Sequence, residues 1–169
     1  DLDPTRVSIT VPTQVKMPEG GLNIRHPDAP LAKEERTWQY KRPAALAFAR
    51  ANNLNRVLID NPTAKIGIVT AGKAHLDLLQ AFAELGVEQG RIGDLGIRIL
   101  KVGMTYPLDV ENIREFARGL DYLLVIEEKR SLMEVQLKEE LYNVEVVDPH
   151  FPKIIGKVDE FDRYLLPSY

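Results

Sequence analysis

The chain has 169 residues, the size of one ordinary domain, and 44% of them are apolar, which is enough to form a core. Its net charge of −3 indicates no broad basic face, so we expect no nucleic-acid partner. The sequence contains no cysteine, which excludes disulfides, cysteine nucleophiles and thiolate-bound metals or iron–sulfur clusters from this chain.

The compartment is predicted from features that the sequence lacks. No apolar run approaches the ~20 residues of a membrane span, and no secretory signal pattern is visible. Nothing points to an oxidising compartment, so we expect a cytoplasmic protein without a membrane partner. Because the first residue is Asp1 and not Met, we expect either a processed product or a piece of a larger protein.

The N-terminal part is predicted to be irregular and then helical. Residues 1–32 carry many prolines and glycines, which indicates an extended, linker-like arm with one short strand at Val7–Val11. A helix is predicted from Lys33 to Asn52. We expect a kink or a restart at Pro43, because a proline inside a helix removes one backbone hydrogen bond.

Two strands are predicted next. Arg56–Asp60 and Lys65–Thr70 are apolar runs separated by the turn residues Asn61-Pro62-Thr63. A parallel pair needs a long crossover, and this link is short. The two strands are therefore predicted to run antiparallel.

From residue 74 onward, helices and strands alternate, which is the pattern of a parallel sheet covered on both faces. The predicted elements are the helix Ala74–Leu85, the strand Ile97–Val102, a helix capped by Asp109 and running through Arg118, the strand Tyr122–Glu127, the helix Leu132–Tyr142 with a capping box of Ser131 and Glu134, and the strand Val144–Val147. We predict a three-layer α/β/α sandwich with a mostly parallel five-stranded sheet and one antiparallel strand. The domain is predicted over residues 33–148, with a C-terminal tail at 149–169.

The candidate site lies where the parallel strands end, because ligands of open parallel sheets collect at the carboxyl ends of the strands. Those ends carry residues 70–73, 103–107 and 127–130, which we expect at one edge of the sheet and call the carboxyl edge. No catalytic residue and no metal ligand is predicted. The candidate interface or anion-binding residues are Gly72, Lys73, His75, Gly103, Tyr106, Glu127, Glu128, Lys129 and Arg130.

The turn at Gly72-Lys73 has two interpretations. It opens a helix, whose free N–H groups can receive an anion. However, the chain lacks the spacing of a P-loop, and Gly90, Gly93 and Gly96 precede a strand where a dinucleotide motif would follow one. The alternative is a tight turn that needs a residue without a Cβ. We favour this alternative and expect Gly72 to pack closely beside other domains.

The other candidates also leave two interpretations open. His75 is either a general acid or base, or a surface or interface histidine. Tyr106 is either a contact residue or buried beneath its loop. The run Glu127–Arg130 is either a solvated loop or an inter-domain ion-pair patch. His26 and His150 lack the spacing of metal ligands.

Four stretches together resemble a known family. They are "RPAALAFARANNL", "KIGIVTAGKAHLDLLQA", "GIRILKVGMTYPLD" and "LLVIEEKRSLMEVQLKEELYN". The combination, which extends from about Gly20 to about Gly156, resembles the indolepyruvate ferredoxin oxidoreductases, thiamine-diphosphate-dependent enzymes that act on 2-oxoacids. The matching part resembles their domain that is similar to the transketolase C-terminal domain. The resemblance implies a three-layer sandwich with one antiparallel strand.

The resemblance also implies a reaction for a whole enzyme. An aryl 2-oxoacid such as indolepyruvate is decarboxylated on thiamine diphosphate with Mg²⁺, the acyl group passes to coenzyme A, and electrons leave through [4Fe-4S] clusters to ferredoxin. This chain departs from that pattern, since Gly93-Asp94-Leu95-Gly96 is not the Gly-Asp-Gly motif of the diphosphate site and no cluster cysteine is present. No catalytic residue is therefore carried over.

The resulting expectation is a non-catalytic structural or interface domain of such an enzyme. Its expected partners are other domains of the same polypeptide or a partner subunit, and a homodimer is left open. The alternative from another class is a free-standing doubly wound module that binds a small ligand or a nucleotide. The two hypotheses differ in whether the chain alone binds a nucleotide.

Overall fold

The computed structural model describes residues 4–23, 26–142, 150–161 and 163–165. The chain divides into two compact units, Asp1–Leu54 and Asn55–Tyr169. Each unit is described by itself below.

The first unit contains one long helical segment. Helix α1 covers Pro30–Arg36, a π-helical turn covers Thr37–Lys41, and helix α2 covers Arg42–Ala51. The widened turn ends at Lys41 and α2 begins again at Arg42, next to Pro43, which has no N–H to donate, so the expected restart at this proline is present.

The predicted strand Val7–Val11 is wrong, because these residues have no regular structure. Within it, the N–H of Thr10 donates to Oδ1 of Asn52 at 2.7 Å, and its carbonyl accepts from Nδ2 of the same side chain at 2.8 Å. One amide side chain satisfies the backbone groups that a neighbouring strand would otherwise bind.

The second unit is built on one five-stranded sheet. Its strands are β1 (Arg56–Ile59), β2 (Ile66–Ala71), β3 (Ile97–Val102), β4 (Tyr122–Ile126) and β5 (Lys153–Ile155). Their spatial order is β1-β3-β2-β4-β5, with β1 antiparallel to β3 and every other neighbouring pair parallel. The predicted fold class is confirmed.

One strand pairing differs from the prediction. Strand β1 is the antiparallel strand, as expected, but it pairs with β3 and not with β2. The link after β1 contacts the 3-10 turn Gly93–Leu95 that precedes β3, because Nδ2 of Asn61 donates to the carbonyl of Gly93 at 2.7 Å. Both edges of β2 are occupied by the parallel neighbours β3 and β4.

The fifth strand of the sheet lies in the segment that the sequence predicts to be a tail. The predicted strand Val144–Val147 falls outside the described residues. Strand β5, at Lys153–Ile155, pairs in parallel with Tyr122–Leu124 of β4. Residues 153–155 therefore belong to the sheet.

Helices cover both faces of the sheet. Helix α3 (Gly72–Glu84) packs on one face, and α4 (Val110–Ala117) and α5 (Met133–Leu141) pack on the other. Their bounds agree with the prediction to within two residues. The core under α3 contains Ile68, Leu78, Phe82, Ile92 and Ile99, and the core under α4 and α5 contains Val69, Leu100, Ile113, Phe116 and Leu137.

None of the helices in the described ranges has the length and the apolar character that crossing a membrane requires.

The buried carboxylate of Glu134 connects α5 to the residues after β5. It accepts hydrogen bonds from the N–H of Lys157 at 2.9 Å, the hydroxyl of Ser131 at 3.0 Å and Nζ of Lys138 at 2.7 Å. Burial alone would raise the pKa of Glu134, but these three donors hold the pKa below its ordinary value. Gly156 lies directly against this carboxylate, so a Cβ there would collide with it.

We expect Gly67→Ala to destabilise the second unit. The added Cβ would lie 2.9 Å from Cε1 of Phe116 and closer still to Cδ1 of Leu120, inside a filled core. Overpacking of this kind costs about 1–3 kcal/mol of unfolding free energy, which urea denaturation measures. Gly90→Ala is the matched control, because a Cβ there meets no atom within 4 Å. Equal losses from both variants would contradict the close approach at Gly67.

Glu134→Gln should lower the unfolding free energy at pH 7 by about 1–3 kcal/mol, because the three donors no longer face a charged acceptor and the amide NH2 replaces one of the two oxygens that they contact. The folded-state pKa lies below the ordinary 4.5, so the stabilisation is present above pH 4.5 and is lost as the pH falls through the folded-state value. The difference from the parent chain should therefore shrink in acid. The control is Glu139→Gln on the exposed face of α5, and a difference that does not change with pH would argue against a buried carboxylate anchor.

Candidate functional site

The carboxyl edge is where the parallel strands β2, β3 and β4 end together. Ala71 pairs with Val102 of β3, and Thr70 pairs with Ile126 of β4. The three segments that follow therefore leave the sheet at the same edge. Their first residues are Gly72, Gly103 and Glu127.

The turn after β2 favours a glycine because of its backbone conformation and not because of close packing against other described residues. Gly72 has a φ of +53°, in the left-handed region that favours glycine, yet no atom lies within 4 Å of where its Cβ would be. Nζ of Lys73 lies 2.7 Å from Oδ2 of Asp77. This hydrogen bond and the charge of Asp77, together with the charge of Glu128, raise the pKa of Lys73. The ammonium group is thus already paired on its own helix.

His75 is a buried residue and not a surface one, with 4% of its area exposed. Its Nδ1 has no hydrogen-bond partner among the described residues. Burial lowers the pKa of His75, and the positive charge of Lys101 lowers it further, so the ring is neutral at pH 7. Within the described part of the chain, no hydrogen bond joins His75 to an acid, a base or a nucleophile.

The segment after β3 presents an exposed aromatic ring on a fixed loop. Oδ1 of Asn55 accepts the N–H of Gly103 at 3.0 Å, and the Gln136 side chain accepts from the N–H of Leu108 at 3.1 Å and donates to the carbonyl of Thr105 at 2.9 Å. Between these anchors Tyr106 is 61% exposed. The interpretation that Tyr106 is buried is wrong, and its exposure is compatible with the contact interpretation.

Glu127 caps helix α5. Its carboxylate accepts hydrogen bonds from the N–H groups of Leu132 at 2.9 Å, Met133 at 2.8 Å and Glu134 at 3.1 Å. The predicted capping box is wrong, because Ser131 donates its hydroxyl to the Glu134 carboxylate and caps no backbone group. The carboxylate at the end of β4 already occupies the free N–H groups of this helix.

The remainder of the charge run, Glu128–Arg130, is exposed. Lys129 has a φ of +59°, which is uncommon for a residue with a Cβ. None of the three residues forms an ion pair with another described residue. The inter-domain ion-pair patch stays a prediction.

Two polar residues beside this turn are not among the predicted candidate residues, although Thr70 lies in a predicted segment of the carboxyl edge. Thr70 is fully buried and its Oγ1 has no partner among the described residues. Lys101 is its register partner on β3 and is half-buried. Period-two alternation from Ile68 could have placed Thr70 on the face under α3, but neither its lack of a partner nor the proximity of His75 to Lys101 is visible in the sequence.

No group of three or more His, Asp or Glu side chains in the described ranges could hold a metal ion. The groups that the structure places at the carboxyl edge are backbone N–H groups, a buried histidine, an exposed tyrosine and exposed charges. This inventory suits contact or the binding of a small polar group.

A sequence model of the indolepyruvate oxidoreductase domain family matches residues 56–168. The indolepyruvate oxidoreductase subunit IorA of Methanothermobacter marburgensis is 34% identical over 89 residues, which make up 53% of this chain and 13% of that subunit. The chain thus matches only a small part of this relative's length.

Two solved structures resemble the chain at lower sequence identity. One is the 2-oxoglutarate:ferredoxin oxidoreductase from Magnetococcus marinus, with 16% identity and a TM-score of 0.44 over 84% of this chain and 23% of that chain. The other is a split-gene transketolase in an inactive tetramer, with 18% identity and a TM-score of 0.39 over 63% of this chain and 32% of that chain.

Glu127→Ala should lower the unfolding free energy by about 0.5–2 kcal/mol, because α5 loses the acceptor of three N–H groups. Denaturation gives the free energy, and hydrogen exchange at the amides of residues 132–134 locates the loss. Glu128→Ala removes the same charge from the next position, where no helix end is capped, and should change stability by less than about 0.5 kcal/mol. Equal effects would mean that Glu127 acts only through its charge.

Proposed function

The chain belongs to the indolepyruvate oxidoreductase domain family, and from this membership we propose that it is a non-catalytic structural and interface domain of an indolepyruvate or related 2-oxoacid ferredoxin oxidoreductase. The observation that carries the proposal is the family match over residues 56–168. The whole enzyme would decarboxylate an aryl 2-oxoacid oxidatively, form the acyl-coenzyme A, pass electrons to ferredoxin and work in the cytoplasm.

The cofactors of such an enzyme do not fit the residues that the structure describes. Thiamine diphosphate with Mg²⁺ needs oxygen ligands for the metal, and [4Fe-4S] clusters need thiolates. The described residues hold no cluster of three metal-ligating side chains, and the sequence has no cysteine. These groups, and the reaction steps that depend on them, belong to other parts of the enzyme in this proposal.

The carboxyl edge is the surface that we assign to contact with other domains or a partner subunit. Tyr106 projects there from a loop fixed by Gln136, so little conformational freedom would be lost on contact. Leu76 and Leu132 are also exposed at the start of α3 and next to the start of α5. The contact residues proposed are Gly72, Lys73, Gly103, Tyr106, Glu127, Glu128, Lys129 and Arg130, whereas the buried His75 lies behind this surface.

The purified chain should catalyse no turnover of indolepyruvate with thiamine diphosphate, Mg²⁺, coenzyme A and an artificial electron acceptor, and calorimetry should detect no binding of thiamine diphosphate. A complete 2-oxoacid ferredoxin oxidoreductase, assayed alongside, is the positive control. Turnover or tight thiamine diphosphate binding by the chain alone would overturn the proposal. Binding of a nucleotide by the chain alone would favour the free-standing module.

The parent reading frame provides a second test. A Gly-Asp-Gly motif with a downstream Asn, and cysteines at ferredoxin-like spacing, should be encoded in the same frame or beside it. A frame that starts just before Asp1 and stops after Tyr169, with no such gene beside it, would contradict the proposed assembly.

A further inference from the structure

The first turn of α3 differs from the first turns of α4 and α5 in how its backbone N–H groups are satisfied. Asp109 accepts the N–H of Asn112 in α4, and Glu127 accepts three N–H groups at the start of α5. Helix α3 has 13 residues, and Ala71 at its N-cap contributes no side-chain hydrogen bond. Its free N–H groups and the positive end of its dipole therefore have no carboxylate cap.

Two buried polar atoms without partners lie beside this uncapped turn. They are Oγ1 of Thr70, which is fully buried, and Nδ1 of His75. Among the described residues neither atom has a hydrogen-bond partner, and buried polar groups in folded proteins nearly always have one. Their positions in β2 and α3 therefore point to a missing hydrogen-bond partner.

Both side chains lie on the faces along which β2 and α3 pack together. Thr70 follows Ile68 by two residues, so it lies on the face of β2 that packs against Leu78 of α3. His75 lies one turn before Leu78 on the buried face of the helix. Side chains of a helix lean toward its N-terminus, so the imidazole of His75 extends toward the end of β2.

Positive charge and open space complete the site. Lys101 is the register partner of Thr70, lies near enough to His75 to influence its titration, and forms no ion pair with a described residue. Lys73 is already paired with Asp77. Beside Gly72, no atom lies within 4 Å of the position of a Cβ, which leaves room at the turn.

We propose that the first turn of α3 binds an oxyanion, a carboxylate or a phosphate group, through the N–H groups of residues 72–74 and the side chains of Thr70 and His75, with Lys101 supplying positive charge. Both side chains are able to donate: Thr70 through its hydroxyl, and His75 through Nδ1–H in the matching neutral tautomer. The inference goes beyond the proposed function, because it rests only on groups inside this chain.

The test is a titration of the ¹⁵N-labelled chain with sodium phosphate, and separately with sodium acetate, at fixed pH and with sodium chloride holding the ionic strength constant. The amides of residues 72–74 should shift and saturate. The amides at the starts of α4 and α5, which are capped from within the chain, should stay in place. Saturation by phosphate identifies a phosphate site, and saturation by acetate alone identifies a carboxylate site. No saturable shift with either anion would overturn the proposal.

Variants test the donors. Thr70→Val preserves the side-chain shape, and it should weaken anion binding about tenfold or more, since hydrogen bonds to charged groups are strong. The denaturation midpoint without anion should stay or rise, because an unpartnered buried hydroxyl is removed. A lower midpoint with unchanged anion binding would mean that the hydroxyl is structural and would overturn its assignment.

Lys101→Gln should also weaken binding about tenfold. Its control is Lys65→Gln at the opposite edge of the sheet, which removes the same charge and should change the affinity less than about twofold. Equal effects of the two lysine variants would mean that the anion responds only to net charge, and would overturn the site. Failure of the proposed function would be visible as turnover by the chain and would leave the amide shifts unaffected.

Discussion

The central position of β2 is the constraint on which the rest of the second unit depends. Its backbone groups pair on one side with β3 and on the other with β4, and both neighbours run parallel to it. Parallel strands return through helices, so each of the three strands must end at the same edge and lead into a new turn. The buried faces of β2 then hold α3 on one side and α4 and α5 on the other. Shared strand direction thus creates both the layers and the candidate site.

Features that depend on neighbouring residues could be predicted from the sequence, and features that depend on distant partners could not. Asp109 was identifiable as a cap because the helix that it serves begins at the next residue. Strand β1 pairs with β3, and the turn after β1 contacts Gly93, which lies 32 residues from Asn61 in the sequence. The Ser-x-x-Glu pattern predicts Ser131 as the cap of α5, but it contains no information about the carboxylate of Glu127, which lies before the helix and accepts its first N–H groups.

In the candidate site too, some features could be predicted from the sequence and others depend on residues from other elements. Strand direction was enough to place its three segments at one edge, but the burial of His75 depends on how α3 lies on the sheet, and the exposure of Tyr106 depends on the side chain of Gln136 from another element. Hydrophobic periodicity predicts which residues face a core. It does not predict which polar atoms lack partners there, because that depends on every neighbouring donor and acceptor.

The attachment of the tyrosine loop to α5 has a mechanical consequence. The side-chain amide of Gln136 in α5 forms hydrogen bonds with the loop at Thr105 and Leu108. The first turn of α5 is also bound to the end of β4 through the carboxylate of Glu127. A displacement of the loop around Tyr106 would therefore strain its hydrogen bonds to Gln136, and α5 would connect that strain to the end of β4.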